Sequence, residues 1–264
     1  MDAIALALIA IIFYLAAATY QLLTLQRKAP VRSTVIQILG GAAILNHGLS
    51  VWLAMFQSDG VHLGLSEMGS LATFSISLML LISSLRKPVL NLVIGVFPMS
   101  MAALLFAIWG PVSAPTGYLK TGLLLHIVLS LVAYSLMVIA AFQAVLVAIQ
   151  NYQLKNKHTR GIIQVLPPLQ TMERLLFELI CSGLATLTLA IASGVFFLDN
   201  LFAQHLVHKT ILTLMSWLVF AILLAGHRWL GWRGMTAVRW TIGGSFLLVL
   251  GYFGSKVALE ILLN

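Results

Sequence analysis

Residues 121–157 read TGLLLHIVLSLVAYSLMVIAAFQAVLVAIQNYQLKNK, and no Asp, Glu, Lys or Arg occurs in this stretch before Lys155. A helix needs about 20 predominantly apolar residues to cross a bilayer. This segment exceeds that, so it predicts a membrane-spanning helix near 121–150 with a polar extension through Asn151 to Lys157. No soluble core absorbs so long a charge-free run, and the composition of the rest agrees. Of the 264 residues, 61% are hydrophobic and 8% charged, against roughly a quarter charged in soluble domains. The same reading places seven further spans near 3–25, 35–56, 67–85, 89–109, 175–198, 209–227 and 238–259. The fold class expected is therefore all-α: a polytopic membrane helical bundle of about eight transmembrane helices, in one membrane domain over 1–264.

The start, MDAIALALIAIIFYLAAATYQLL, has no basic leading segment, its apolar run is long, and Arg27 and Lys28 follow it. It reads as a retained first helix rather than a cleaved signal. Pro98 falls inside the fourth span and removes one helical hydrogen bond there. The basic residues set the orientation. Twelve of the fifteen (Arg27, Lys28, Arg32, Arg86, Lys87, Lys155, Lys157, Arg160, Arg174, Arg228, Arg233 and Arg239) fall in one set of loops, and three (Lys120, Lys209, Lys256) in the other. The positive-inside rule makes the first set cytoplasmic and puts both termini on the opposite, periplasmic side. A net charge of +8 in short clusters between apolar runs forms no nucleic-acid-binding face. The partner it implies is the lipid bilayer. A single cysteine, Cys181, excludes an internal disulfide and a CxxC redox pair.

Small residues recur every fourth position in two spans, at Gly69, Thr73 and Ser77 and at Ser182, Thr186, Ala190 and Gly194. Such stripes let helix backbones approach closely in lipid. Ionisable residues at membrane depth are costly and mark candidate sites. His47 lies mid-span, His126 near the outer end of the fifth span, and His227 at the inner end of the seventh. His205 and His208 precede the seventh span in AQHLVHK, while His62 and His158 lie in loops. Neutral imidazole is a common metal and haem ligand. A lone membrane histidine also reads as a helix–helix hydrogen bond, and His227 beside Arg228 as an interfacial cap. Glu173 and Glu178 flank Arg174 as interfacial partners. No nucleophile motif, phosphate loop or paired-carboxylate site is present, so no enzyme is expected.

Several stretches resemble the CcsA/CcmC/CcmF haem-handling (cytochrome c assembly) superfamily, bacterial inner-membrane proteins that present haem for cytochrome c maturation. LHIVLSLVAYSLMVIA, with Tyr134 eight residues after His126, is similar to that family's histidine-plus-tyrosine helix. PPLQTMERLLFELICSGLATLTLAIASG resembles the segment entering the next helix. SWLVFAILLAGHRWLGWRG, 216–234, resembles the helix and Gly-Trp-Arg-Gly loop beyond the family's tryptophan-rich region, and GYFGS, 251–255, its last helix. The likeness covers roughly 120–258, with a looser fit around His47. It implies a non-covalent, b-type haem, since no CxxCH attachment motif occurs. It also implies His47 and His227 as axial ligands to haem iron within the membrane, His126 as an outer-face ligand, and other cytochrome-maturation membrane proteins as partners. The sequence departs from the family at the outer face. FFLDNLFAQHLVHKT carries no tryptophan where the WGxxWxWD platform is expected, and SKVALEILLN carries no second outer histidine. His205 or His208 is the expected substitute. The competing readings are an accessory membrane protein of transport or stress function that kept the fold without the platform, and a transporter. Sparse intramembrane charge disfavours the transporter.

Overall fold

The computed structural model describes residues 2–110, 115–116, 121–157, 164–197 and 207–254. Eight helices in it are long and apolar enough to cross a membrane. The chain divides into two compact units, residues 1–118 with 159–167, and residues 119–158 with 168–264.

The first unit holds α1 (Ala3–Leu25), α2 (Ser33–Met55), α3 (Leu65–Ser84) and α4 (Val93–Trp109). Its polarity is the reverse of a soluble bundle. Ile4, Leu8, Ile12 and Leu15 of α1 are exposed, and their apolar side chains suit lipid. Ala7, Ala10 and Ala17, three small side chains that permit close backbone approach, are buried with Tyr14 on the opposite face. α2 meets α3 closely at Gly48, where an added Cβ would lie 2.8 Å from the Phe74 ring. Thr73 and Ser77 of the expected α3 stripe are buried, and Ser77 shares a 2.8 Å hydrogen bond with Ser100 of α4. The residue range before α4 is a 3-10 turn, Leu90–Leu92. Pro98 does lie inside α4.

Sequence periodicity did not signal the three short strands of this unit. β1 (Phe56–Gln57) pairs antiparallel with β2 (Gly60–His62), which pairs antiparallel with β3 (Pro115–Thr116). The tight β1–β2 turn places Gly60 at φ 142°, a backbone conformation in which a side chain is strained. His62 Nε2 donates to the exposed Asp59 carboxylate at 3.1 Å, and that hydrogen bond holds the Asp59 carboxyl below its ordinary range.

The second unit holds α5 (Thr121–Lys155), α6 (Leu169–Phe197), α7 (Val207–Leu230) and α8 (Met235–Val249), the last running into a π-turn at Leu250–Gly254. The polar extension of α5 is helical to Lys155. α6 begins at Leu169, earlier than its apolar run suggests. Proline is tolerated in a first helical turn, and the Pro168 carbonyl accepts the Met172 amide. α5 and α6 approach closely at Gly183, whose hypothetical Cβ would lie 3.0 Å from Met137. Of the stripe expected on α6, Ala190 and Gly194 are buried but Ser182 is exposed. The seam is thus rotated by one residue in its first half. Buried polar groups tie the helices together. Gln143 Nε2 donates to the Met172 carbonyl at 3.0 Å, and the Ser216 hydroxyl to the Gly244 carbonyl at 2.8 Å. In lipid such groups have no water to fall back on, so each needs a partner within the protein.

Because its four helices alternate in direction, the second unit gathers functional side chains at two ends. One end carries the start of α5, the end of α6 and the start of α7. The other carries the end of α5, the start of α6, the end of α7 and the start of α8, with Arg174, Arg228 and Arg233.

Candidate functional site: three histidines in two kinds of environment

His126 sits on the second turn of α5, half-buried against the last turns of α6. Its Nδ1 lies 3.0 Å from the Ala190 carbonyl oxygen and 3.2 Å from the Ser193 hydroxyl, which itself donates to Ala190 at 2.8 Å. A carbonyl only accepts, so Nδ1 carries the proton. Nε2 then keeps its lone pair, approached among the described residues only by the Ser130 hydroxyl at 3.5 Å, the outer limit of a hydrogen bond. An imidazole with one nitrogen on a backbone carbonyl and the other left as a base is oriented as metal-ligating histidines are. Lys209 of α7 lies with Nζ 4.8 Å over the Tyr252 ring, and Tyr134 packs against Tyr252 and Phe253 at 5.7 and 6.0 Å. The helix that carries His126 therefore leads into an aromatic cluster capped by a cation.

His227 occupies the opposite end of the same unit. The loop Gly231–Trp232–Arg233–Gly234 turns back on α7, with Gly231 and Gly234 at φ 68° and 59°. The Trp232 amide donates to the Gly226 carbonyl at 3.1 Å, and His227 Nδ1 donates to the Trp232 carbonyl at 2.7 Å. Gly226 is required there, because a Cβ would overlap the Trp232 ring. The imidazole stacks on Phe177 of α6 at 3.5 Å and 14°. Its Nε2 has no polar partner among the described residues. The ring borders a groove of about 810 Å³ between α6 and α7 that is floored by Phe177, Cys181 and Leu224.

His47 is different. It is fully buried in the first unit, with 0% of its surface exposed. The Tyr14 hydroxyl meets Nδ1 at 3.1 Å, and Nε2 meets the Ser70 hydroxyl at 3.0 Å. The rings of Tyr14 and Phe74 pack edge-on against it. Both nitrogens are engaged, and three helices are pinned through one side chain. This is the helix–helix hydrogen bond that the sequence offered as one of two readings for His47.

Of the remaining candidates, His208 is exposed in the first turn of α7 and has no polar partner among the described residues. His205 and His158 lie outside the described residues, as does the end of the eighth span near 259. Sequence reasoning singled out neither Tyr14 nor the Ala190 and Trp232 carbonyls. Tyr14 had a visible signal, being, with Gln21, a bulky polar residue on the alanine face of α1. Backbone carbonyls leave none.

Residues 5–263 match the family described as "Cytochrome C assembly protein". The chain belongs to that family. It is also 35% identical over 205 residues to the inner membrane protein YpjD of Escherichia coli (strain K12), covering 77% of this chain and 78% of that relative. The YpjD proteins of Escherichia coli O6:H1 and O157:H7 match to the same extent. A protein of Azospirillum brasilense described as "Uncharacterized 28.8 kDa protein in nifR3-like 5'region" is 32% identical over 142 residues, 53% of this chain and 52% of that relative. No solved structure matches. Family membership, the YpjD relatives and the eight spans together make the chain a multi-pass inner-membrane protein.

The donor set bears on whether a haem fits this family member. His126 and His227 each offer an oriented imidazole with one nitrogen uncommitted or nearly so. His47 offers none until a bond to Tyr14 or Ser70 is given up.

Proposed function

We propose that this protein handles non-covalent haem in the inner membrane, with His126 as the residue that meets the iron on the outer side. The observation that carries this reading is the hydrogen bond from His126 Nδ1 to the Ala190 carbonyl. It fixes the ring and leaves Nε2 as a base, on the helix that also carries Tyr134 of the cation-capped aromatic cluster. Haem would supply an iron centre there, and His126 would hold it. The chain's own residues orient the imidazole, exclude water with Tyr134 and Tyr252, and place the Lys209 ammonium nearby for an anionic group. His205 or His208 is the proposed second outer ligand. His47 and His227 are the proposed inner pair, and His47 joins only if its Tyr14 contact opens. Other cytochrome-maturation membrane proteins are the proposed partners, and the Arg- and Lys-rich loops are proposed to face the cytoplasm.

Haemin titration of the purified full chain tests this. The reading expects a Soret band whose outer component is lost in His126→Ala and retained in a neutral control such as Ser182→Ala. A wild-type protein that gives no Soret shift with haemin refutes it. The alternative, an accessory protein of transport or stress function without haem, is favoured by one observation: FFLDNLFAQHLVHKT lacks tryptophan where the family's platform is expected. That alternative expects no Soret band in any variant.

A further inference from the structure

The groove beside His227 has a composition that a haem-ligand role for His126 does not use. Its floor of Phe177, Cys181 and Leu224 is apolar, and it opens between α6 and α7. Its rim carries Arg174, Arg228 and Arg233 against Glu173 and Glu178. Arg174 Nε is bound to Glu178 Oε1 at 3.0 Å. Arg228 and Arg233 have no carboxylate partner among the described residues. Three guanidiniums against two carboxylates leave one positive charge in excess.

The surroundings place the groove at a membrane surface. Trp229 and Leu230, next to Arg228, are 80% and 70% exposed, as expected of residues lying in the headgroup and acyl boundary. Cys181 and Leu218, further along α6 and α7, are exposed and apolar. One open groove thus has a basic rim, a single surplus charge and an apolar floor that continues along the helices.

We propose that this groove binds one acidic phospholipid, with the phosphodiester held by Arg228 and Arg233 and an acyl chain laid over Leu224 and Cys181. Guanidinium matches phosphate oxygens in paired hydrogen bonds, and basic pockets between transmembrane helices take anionic headgroups. The His227 ring, fixed by Trp232 and Phe177, walls the groove. The proposal does not depend on haem binding by His126.

Native mass spectrometry of the full chain in detergent, titrated with phosphatidylglycerol or phosphatidylcholine, tests it. One phosphatidylglycerol per chain is expected, held roughly tenfold more tightly than phosphatidylcholine, a preference of about one power of ten in Kd. The Arg228→Gln/Arg233→Gln double variant is expected to lose that preference. Arg228→Lys/Arg233→Lys keeps part of it, because charge survives but the paired geometry does not. Leu224→Trp, which fills the floor without touching either arginine, is also expected to weaken binding, and His126→Ala to leave it unchanged. Four results would overturn the proposal: equal retention of the two lipids, an unchanged preference in the glutamine double variant, displacement of the lipid by millimolar inorganic phosphate, or haemin displacing the lipid while itself requiring Arg228 and Arg233. The third would make the site a simple phosphate site, and the fourth would assign the groove to haem.

Discussion

His47 in the first unit and His126 in the second are both histidines on spanning helices, and their hydrogen bonding differs. His47 spends both ring nitrogens on hydroxyls of neighbouring helices and has no exposed surface. His126 spends one nitrogen on a backbone carbonyl and leaves the other near a weak contact at 3.5 Å. An imidazole that is a donor at one side and an acceptor at the other is a strong pin between helices when both are filled. It becomes a ligand when only the donor side is. The difference lies at Nε2, which in His47 meets the Ser70 hydroxyl at 3.0 Å and in His126 meets the Ser130 hydroxyl only at 3.5 Å. His227 falls with His126, since Trp232 takes its Nδ1 and nothing described takes its Nε2.

If that distinction is correct, His47→Ala should have the largest effect on folding. It strands the Tyr14 and Ser70 hydroxyls in a dry interior and opens a cavity, a loss of roughly 3 kcal/mol by the usual costs of unsatisfied groups and lost volume. Thermal unfolding in detergent would show it, and an unchanged midpoint would break the comparison. Gly226→Leu comes next. It drives a side chain into Trp232 and should cost about 1–3 kcal/mol as an overpacked contact. It should also free the His227 ring, readable as a changed fluorescence of the Trp232–Trp240 pair, whose rings lie 5.3 Å apart. His126→Ala should cost at most about 1 kcal/mol, because Ser193 still satisfies the Ala190 carbonyl. A loss as large as that of His47→Ala would mean that His126 is a pin as well.

The smallest effect concerns pH. The Asp59 carboxyl is held below its ordinary range by the hydrogen bond from His62. A depressed carboxyl stabilises the fold above its unfolded pKa, and the contribution is lost as pH falls through the folded value. Asp59→Asn should therefore slightly lower stability at neutral pH and flatten the acid side of the profile below about pH 4, where variant and wild type converge. Unfolding midpoints measured from about pH 3 to 7 check this; equal midpoints at neutral pH, or a difference that persists undiminished at about pH 3, would contradict the assignment.

Much of the fold was legible because lipid imposes one rule on every span. Each needs about 20 apolar residues, so α1 and α5 could be placed from composition alone. The boundaries that slipped did so where proline and polar residues are compatible with a helix end, as at Pro168 before α6. The strands at 56–57, 60–62 and 115–116 are too short to show alternation. The histidines were legible as costly residues, and the two readings offered for His47 were both physically sound. What separates them is the identity of the group facing each nitrogen. For His47 that is a side chain 33 positions away, and for His126 a backbone carbonyl 64 positions away. Carbonyls are present at every residue, so sequence cannot say which one an imidazole will meet. The resemblance to the cytochrome c assembly family supplied candidate roles by position, and the environments now rank them.

The most direct test of that ranking is a haemin titration comparing His126→Ala with Tyr14→Phe, both in the full chain. The Tyr14 change removes the hydroxyl from His47 Nδ1 without deleting the ring. Our account predicts that wild type gives a Soret band, that His126→Ala abolishes its outer component, and that Tyr14→Phe keeps the band or adds to it as the His47 nitrogen is released. An unaltered Soret band in His126→Ala, together with its loss in Tyr14→Phe, would contradict the account and move the haem to the first unit.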